Sequence, residues 1–186
     1  NNLSITGNTV EDVRHLNSFE AYRWMNVDIS NNDINGVHGR ILVWNDGSNT
    51  DMGSIVVNHN IMTLTSGTSD YSTTGIGIYY MIADVDVTNN DVDMASTCLT
   101  TIGITDLSIT GNTFSNCETR GHIFDEPGGG IEAISAVIQG NTFDTSPIGV
   151  ENASDDFLLN ACDNIFIAIG ERRFENPGPF APCNGS

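Results

Sequence analysis

Apolar and polar residues alternate in short bursts along this chain, and the bursts repeat. In Leu3–Val10, Leu3, Ile5 and Val10 are apolar while Ser4, Thr6 and Thr9 are polar, the period-two pattern of a strand with one buried face. The phrase returns in altered form at Val27–Ile34, Ile55–Met62, Val85–Val92, Leu107–Phe114 and Ala136–Phe143. Each copy carries an asparagine at its corner, Asn8, Asn32, Asn60, Asn90, Asn112 and Asn141, so the steps are 24, 28, 30, 22 and 29 residues. A period in that range marks a repeat architecture rather than a globular core. Gly7, Asn31, Asn89, Gly111 and Gly140, which precede these asparagines, tolerate a positive φ at a sharp turn. His59 is the exception.

A further apolar strand is expected later in most units, over Ala21–Met25, Arg40–Trp44, Gly75–Tyr80, Thr101–Ile104 and Gly130–Ile134. Each turn of chain then offers about three strands. Stacking equivalent strands from successive turns makes parallel sheets around a shared apolar interior. The expected fold is all-β, a single-stranded right-handed parallel β-helix of about six to seven coils over residues 1–170. At roughly 4.8 Å per layer it forms a rod on the order of 30 Å long. The proline-rich stretch Glu175–Cys183 is not expected to continue a sheet, and residues 171–186 are expected to cap the last turn or form a linker. Asn1 falls directly into a repeat, leaving an open sheet edge; further turns, a partner chain or another copy are expected before it.

Asparagine amides one layer apart can bond each other and the corner backbone, so Asn8, Asn32, Asn60, Asn90, Asn112 and Asn141 are expected to form a structural ladder. This phrase, alternating apolar residues closed by Gly-Asn or Asn-Asn, resembles that of the right-handed parallel β-helix superfamily, which includes pectate lyases, polygalacturonases, alginate epimerases and phage tailspikes. The resemblance covers roughly residues 1–170 and bears on architecture, not on chemistry.

Charge narrows the partners. The 24 acidic residues face six basic ones, all arginine, for a net charge of -18, which argues against nucleic acid and anionic membranes as partners. Cys98, Cys117, Cys162 and Cys183 lack zinc-site spacing, so disulfides are expected, with Cys98–Cys117 and Cys162–Cys183 the pairings nearest to one turn apart. An oxidising, secreted or cell-surface location follows, with Asn2, Asn152 and Asn184 as candidate N-glycosylation sites. The first residues do not read as a charged, apolar, small-residue leader, and no apolar run nears the roughly 18 residues that cross a bilayer, so a soluble chain whose signal peptide has been removed is expected.

The outward rows of the first strand set offer a ligand-binding strip: Ser4, Asp28, Asp86 and Ser108 in one row, Thr6, Ser30, Thr88 and Thr110 in the next. The resemblance implies that such a face and its flanking loops form a sugar-binding groove, while an ordinary solvated sheet surface is the plainer reading. Trp24, Trp44, Tyr79 and Tyr80 recur at the end of three successive turns. They either stack on sugars from outside or, as strand aromatics more often do, fill the interior, where they are expected here.

Enzymes of the resembling superfamily abstract a proton beside a carboxylate, using a lysine, arginine or His/Tyr base together with a cation. This chain has no lysine. The epimerase and polygalacturonase motifs are also missing, since Asp155–Asp156 and Gly121–His122 occur singly and out of order. The remaining catalytic candidates are His122, Asp125 and Glu126 with Arg120, expected in a loop before a glycine run. No cofactor is required. Calcium is an option through Asp46, Ser48 and Asp51, or through Asp84 and Asp86 with Asp91 and Asp93, although neither string completes a known calcium motif.

Two readings of different class follow. One is a non-catalytic extracellular module with a structural, adhesive or glycan-contacting role, able to assemble end to end into a filament through open sheet edges. The other is a lyase, epimerase or hydrolase acting on an acidic polysaccharide. The missing lysine and catalytic motifs favour the first.

Overall fold

The computed structural model describes residues 1–13, 17–36, 38–46, 53–65, 74–125, 133, 135–154, 158–175 and 180–181. Among them are twenty strands and no helix, wound into a parallel β-solenoid of about six turns. Numbered in chain order, the strands fall into three columns. The first column holds β1 (Asn2–Thr6), β4 (Asn26–Ser30), β7 (Gly53–Asn58), the later halves of β9 (Thr74–Thr88) and β11 (Thr97–Thr110), then β14 (Ser135–Gln139), β17 (Leu159–Cys162) and β20 (Phe180–Ala181). The second holds β2 (Thr9–Val13), β5 (Asp33–Gly36), β8 (Ile61–Leu64), β10 (Asp91–Asp93), β12 (Thr113–Ser115), β15 (Thr142–Asp144) and β18 (Ile165–Ile167). The third holds β3 (Asn17–Tyr22), β6 (Arg40–Trp44), the early halves of β9 and β11, β13 (Arg120–Asp125), β16 (Ile148–Asn152) and β19 (Arg172–Glu175).

Neighbours in every column pair in parallel. Leu3 lies opposite Val27, Val27 opposite Ile55, Ile55 opposite Val85, and Val85 opposite Leu107, so each apolar residue stacks on its equivalent one turn away. The lumen they fill is one continuous apolar core, from Ile29, Ile34 and Ile41 through Ile76 and Val87 to Ile138 and Val150, all fully buried. In the second column the stacked residues become aromatic. Phe114 and Phe143 have ring centroids 5.4 Å apart, and Phe143 and Phe166 5.3 Å.

The corner amides close the design. Asn8 Nδ2 donates to Asn32 Oδ1 at 2.9 Å, Asn32 to Asn60 at 2.9 Å, Asn60 to Asn90 at 2.9 Å, Asn90 to Asn112 at 3.0 Å and Asn112 to Asn141 at 2.9 Å. Asn164 adds a seventh rung, accepting from Asn141 at 3.1 Å. From Asn32 onward the second amide hydrogen goes to a carbonyl of the preceding turn, as from Asn60 to Ile29 O at 2.8 Å. Each Oδ1 from Asn32 to Asn164 also accepts the backbone N–H of the previous rung. A left-handed residue introduces every rung, including His59 at φ 52° and Asp163 at φ 53°.

The third column departs from expectation. Its first strand is Asn17–Tyr22, not Ala21–Met25, because the chain turns at Arg23 with φ 58°. Gly75–Tyr80 and Thr101–Ile104 are not separate strands; they lie inside β9 and β11, which pass the corner without breaking, through positive φ at Tyr80 and Gly103. In the fifth turn the strand is Arg120–Asp125, while most of Gly130–Ile134 lies outside the described residues.

Candidate functional site

The expected outward strip on the first column is in register. Ser4, Asp28, Val56, Asp86, Ser108 and Val137 face one another across successive turns, as do Thr6, Ser30, Asn58, Thr88, Thr110 and Gln139. Two shallow depressions lie along it. One, of about 330 Å³, is lined by Ser4, Asn26, Asp28 and Ser54; the other, of about 370 Å³, by Asp84, Asp86, Asp106, Ser108, Thr110 and Gln139. Much of the strip is internally bonded. Thr88 Oγ1 donates to Asn58 at 2.9 Å, and Gln139 donates to Asp163 at 3.1 Å. Ser30, expected to be outward, is buried and donates to Asp28, so it is removed from the contact surface.

The metal candidates divide. Asp84 and Asp86 share the larger depression, whereas Asp46 is ion-paired with Arg23, and Ser48 and Asp51 lie outside the described residues. On the second column, burial and then the adjacent Asp93 carboxylate push the Asp91 pKa up. Asp93 accepts from Ser115 Oγ at 2.9 Å and Asn116 Nδ2 at 2.7 Å. Among the described residues no group of three or more His, Cys, Asp or Glu side chains is placed to hold a metal ion.

The catalytic candidates are not a surface loop cluster. Arg120, His122 and Asp125 lie on strand β13, and Glu126 is outside the described residues. His122 stacks between Leu99 and Val150 in the lumen and is fully buried. Its Nε2 lies 2.9 Å from Thr101 Oγ1, which in turn donates to Ile123 O at 3.4 Å. Nδ1 has no partner, so the ring sits as a neutral imidazole donating from Nε2 to Thr101. Burial lowers its pKa to about 3. Arg120 is ion-paired with Glu151. A base walled into an apolar lumen cannot reach a polysaccharide.

The aromatic residues are also inverted relative to expectation. Only Trp24 packs against the core. Trp44 and Tyr79 face outward and are half-buried, aligned in one row as Tyr22, Trp44, Tyr79, Ile102 and Asp125. Tyr22 and Trp44 stack with centroids 4.1 Å apart. Trp44 Nε1 donates to Glu20 at 2.9 Å, and the Tyr22 hydroxyl reaches Asp46 at 3.4 Å. The Arg23 guanidinium lies 5.0 Å from the Tyr22 ring centroid. Tyr80 is exposed, its ring centroid 6.5 Å from that of Tyr79. Glu20, Tyr22 and Gly77 were not anticipated; the signal was the 22-residue step from Tyr22 to Trp44, masked by a 35-residue step from Trp44 to Tyr79.

Cys98 and Cys117 form a disulfide across one turn, with Cα atoms 5.7 Å apart. Cys162 is also disulfide-bonded, while Cys183 lies outside the described residues. Asn2 is exposed on β1. Asn152 is fully buried and accepts from Ser154 N at 3.2 Å, so this fold has no room for a glycan there. Asn184 is outside the described residues. No family model matches the chain, and no curated protein or solved structure matches it.

Proposed function

We propose that this chain is a non-catalytic extracellular β-solenoid module, similar in build to the pectate-lyase-like β-helices, whose outward faces contact glycans. The observation that carries this reading is the exchange of places between His122 and the aromatic row. The group suited to acid-base chemistry is sealed in the lumen, and rings suited to stacking on sugars stand outside, beside hydroxyls, amides and carboxylates held in fixed rows. The Cys98–Cys117 disulfide supports an oxidising compartment, where such bonds persist. A rigid parallel coil keeps these outward groups at one spacing per turn, the arrangement a repeating polymer can match.

A panel of neutral and acidic polysaccharides, assayed together for retention on the protein and for release of shortened or unsaturated products, separates the two classes. Retention without product supports the module. Product formation assigns the chain to the lyases, epimerases or hydrolases.

A further inference from the structure

We infer that Tyr79 and Tyr80, with Trp44 and Tyr22 beside them, form a stacking site for an uncharged glycan. This names the ligand class and location within the glycan-contact reading, and rests on it.

Adjacent strand residues normally point to opposite faces. Tyr79 and Tyr80 do not behave as such a pair, because Tyr80 occupies the left-handed region at φ 59° and turns its ring outward. The equivalent position one turn on is Gly103, at φ 64°. Glycine is the residue that backbone prefers, and a bulky side chain there is strained. Arg23 turns the same corner two turns back at φ 58°, so the left-handed backbone is the ordinary turn of this column, and at Tyr80 it sets a second ring outside beside Tyr79.

Tyr79 is laid down by a second device. A Cβ at Gly77 would sit 2.7 Å from Tyr79 Cε2 and 3.0 Å from its hydroxyl. The ring therefore leans back over the bare backbone of Gly77, space that a side chain there would fill. Beside it, Glu20 and Asp46 bind the indole N–H and the Tyr22 hydroxyl, which fixes the neighbouring rings before any ligand arrives.

The surrounding charge selects the ligand. The arginines of this face are already engaged: Arg23 with Asp46, Arg40 with Asn17 and Arg120 with Glu151. A polyanion meets carboxylates and a net charge of -18. An uncharged sugar instead offers C–H faces to Tyr79 and Tyr80, with the mutually stacked Tyr22 and Trp44 as a wall beside them, and hydroxyl donors to the remaining lone pairs of Glu20 and Asp46.

Calorimetric titration of the whole chain with cellohexaose, xylohexaose, mannohexaose and sodium polygalacturonate tests this. At least one neutral oligosaccharide is expected to bind and polygalacturonate not to. Tyr79→Ala should weaken binding by at least about tenfold. Tyr80→Gly should weaken it while leaving Tm unchanged or raised, a combination that a merely structural tyrosine would not give. Gly77→Val, which lifts the Tyr79 ring, should weaken binding with Tm nearly unchanged. Neutral binding untouched by all three substitutions, or binding of polygalacturonate, overturns the site while leaving glycan contact standing. No binding to any of the four overturns both.

Discussion

Asn60 shows how much one side chain carries here. Its amide donates to Asn90 Oδ1 and Ile29 O, and its Oδ1 accepts both the backbone and side-chain N–H of Asn32. Replacing it with alanine strands buried donors on Asn32 and an acceptor on Ile29, at a cost of about 3 kcal/mol. Asn8→Ala, at an exposed rung, should cost about 1 kcal/mol. Urea unfolding of the two variants checks the ordering, and equal losses would contradict the ladder as a buried network. His122 makes a second prediction. Its pKa drops from the ordinary 6.5 to about 3 on burial, so the unfolded chain takes up this proton well before the folded one. The stability tied to a neutral His122 is whole above pH 6.5 and is lost progressively as pH falls towards 3. Between about pH 7 and about pH 4, the wild type should therefore lose more stability than His122→Leu. Parallel losses would mean the imidazole is not buried.

At the scale of strands, period-two alternation was readable wherever one face meets the lumen, as in Leu3–Val10 and its copies, and the asparagine steps set the register of the first two columns. The third column was harder to read. β9 and β11 run on through their corners, and a tyrosine at Tyr80 carries no turn signal although its backbone adopts one. Asn164 was missed because Asp163 stands before it in place of Gly or Asn, Ala161 replaces the Ile or Val of earlier copies, and Ile165 follows where most copies carry a polar residue. The aromatic stack is where element stability concentrates. Phe143 lies between Phe114 and Phe166 with zero exposure, so Phe143→Ala should cost about 3–5 kcal/mol in urea unfolding. The Cys98–Cys117 crosslink, spanning 19 residues, should contribute about 3 kcal/mol. A Cys98→Ala/Cys117→Ala double variant with an unchanged unfolding midpoint would contradict that.

For the molecule as a whole, composition foretold an acidic surface and disulfides, and the repeats foretold a parallel coil. They could not tell which side of a strand holds a ring, because alternation fixes the two faces only relative to each other and the corner geometry decides which one is outside. His122 was expected outside because Arg120–Asp125 reads as a loop before a glycine run, and Trp44 inside because strand aromatics more often fill a core; the coil does the reverse. With a net charge of -18, self-repulsion should make Tm rise with added salt, whereas affinity for a neutral glycan should change by less than about twofold over the same range. Saturation-transfer NMR is the most direct test of a non-catalytic, ring-stacking surface. With a neutral oligosaccharide present, irradiating the protein's aromatic protons should pass signal to the axial hydrogens of the sugar, and the anomeric signals should stay constant over days. Transfer to no sugar hydrogen, or the growth of new reducing ends, would contradict the account.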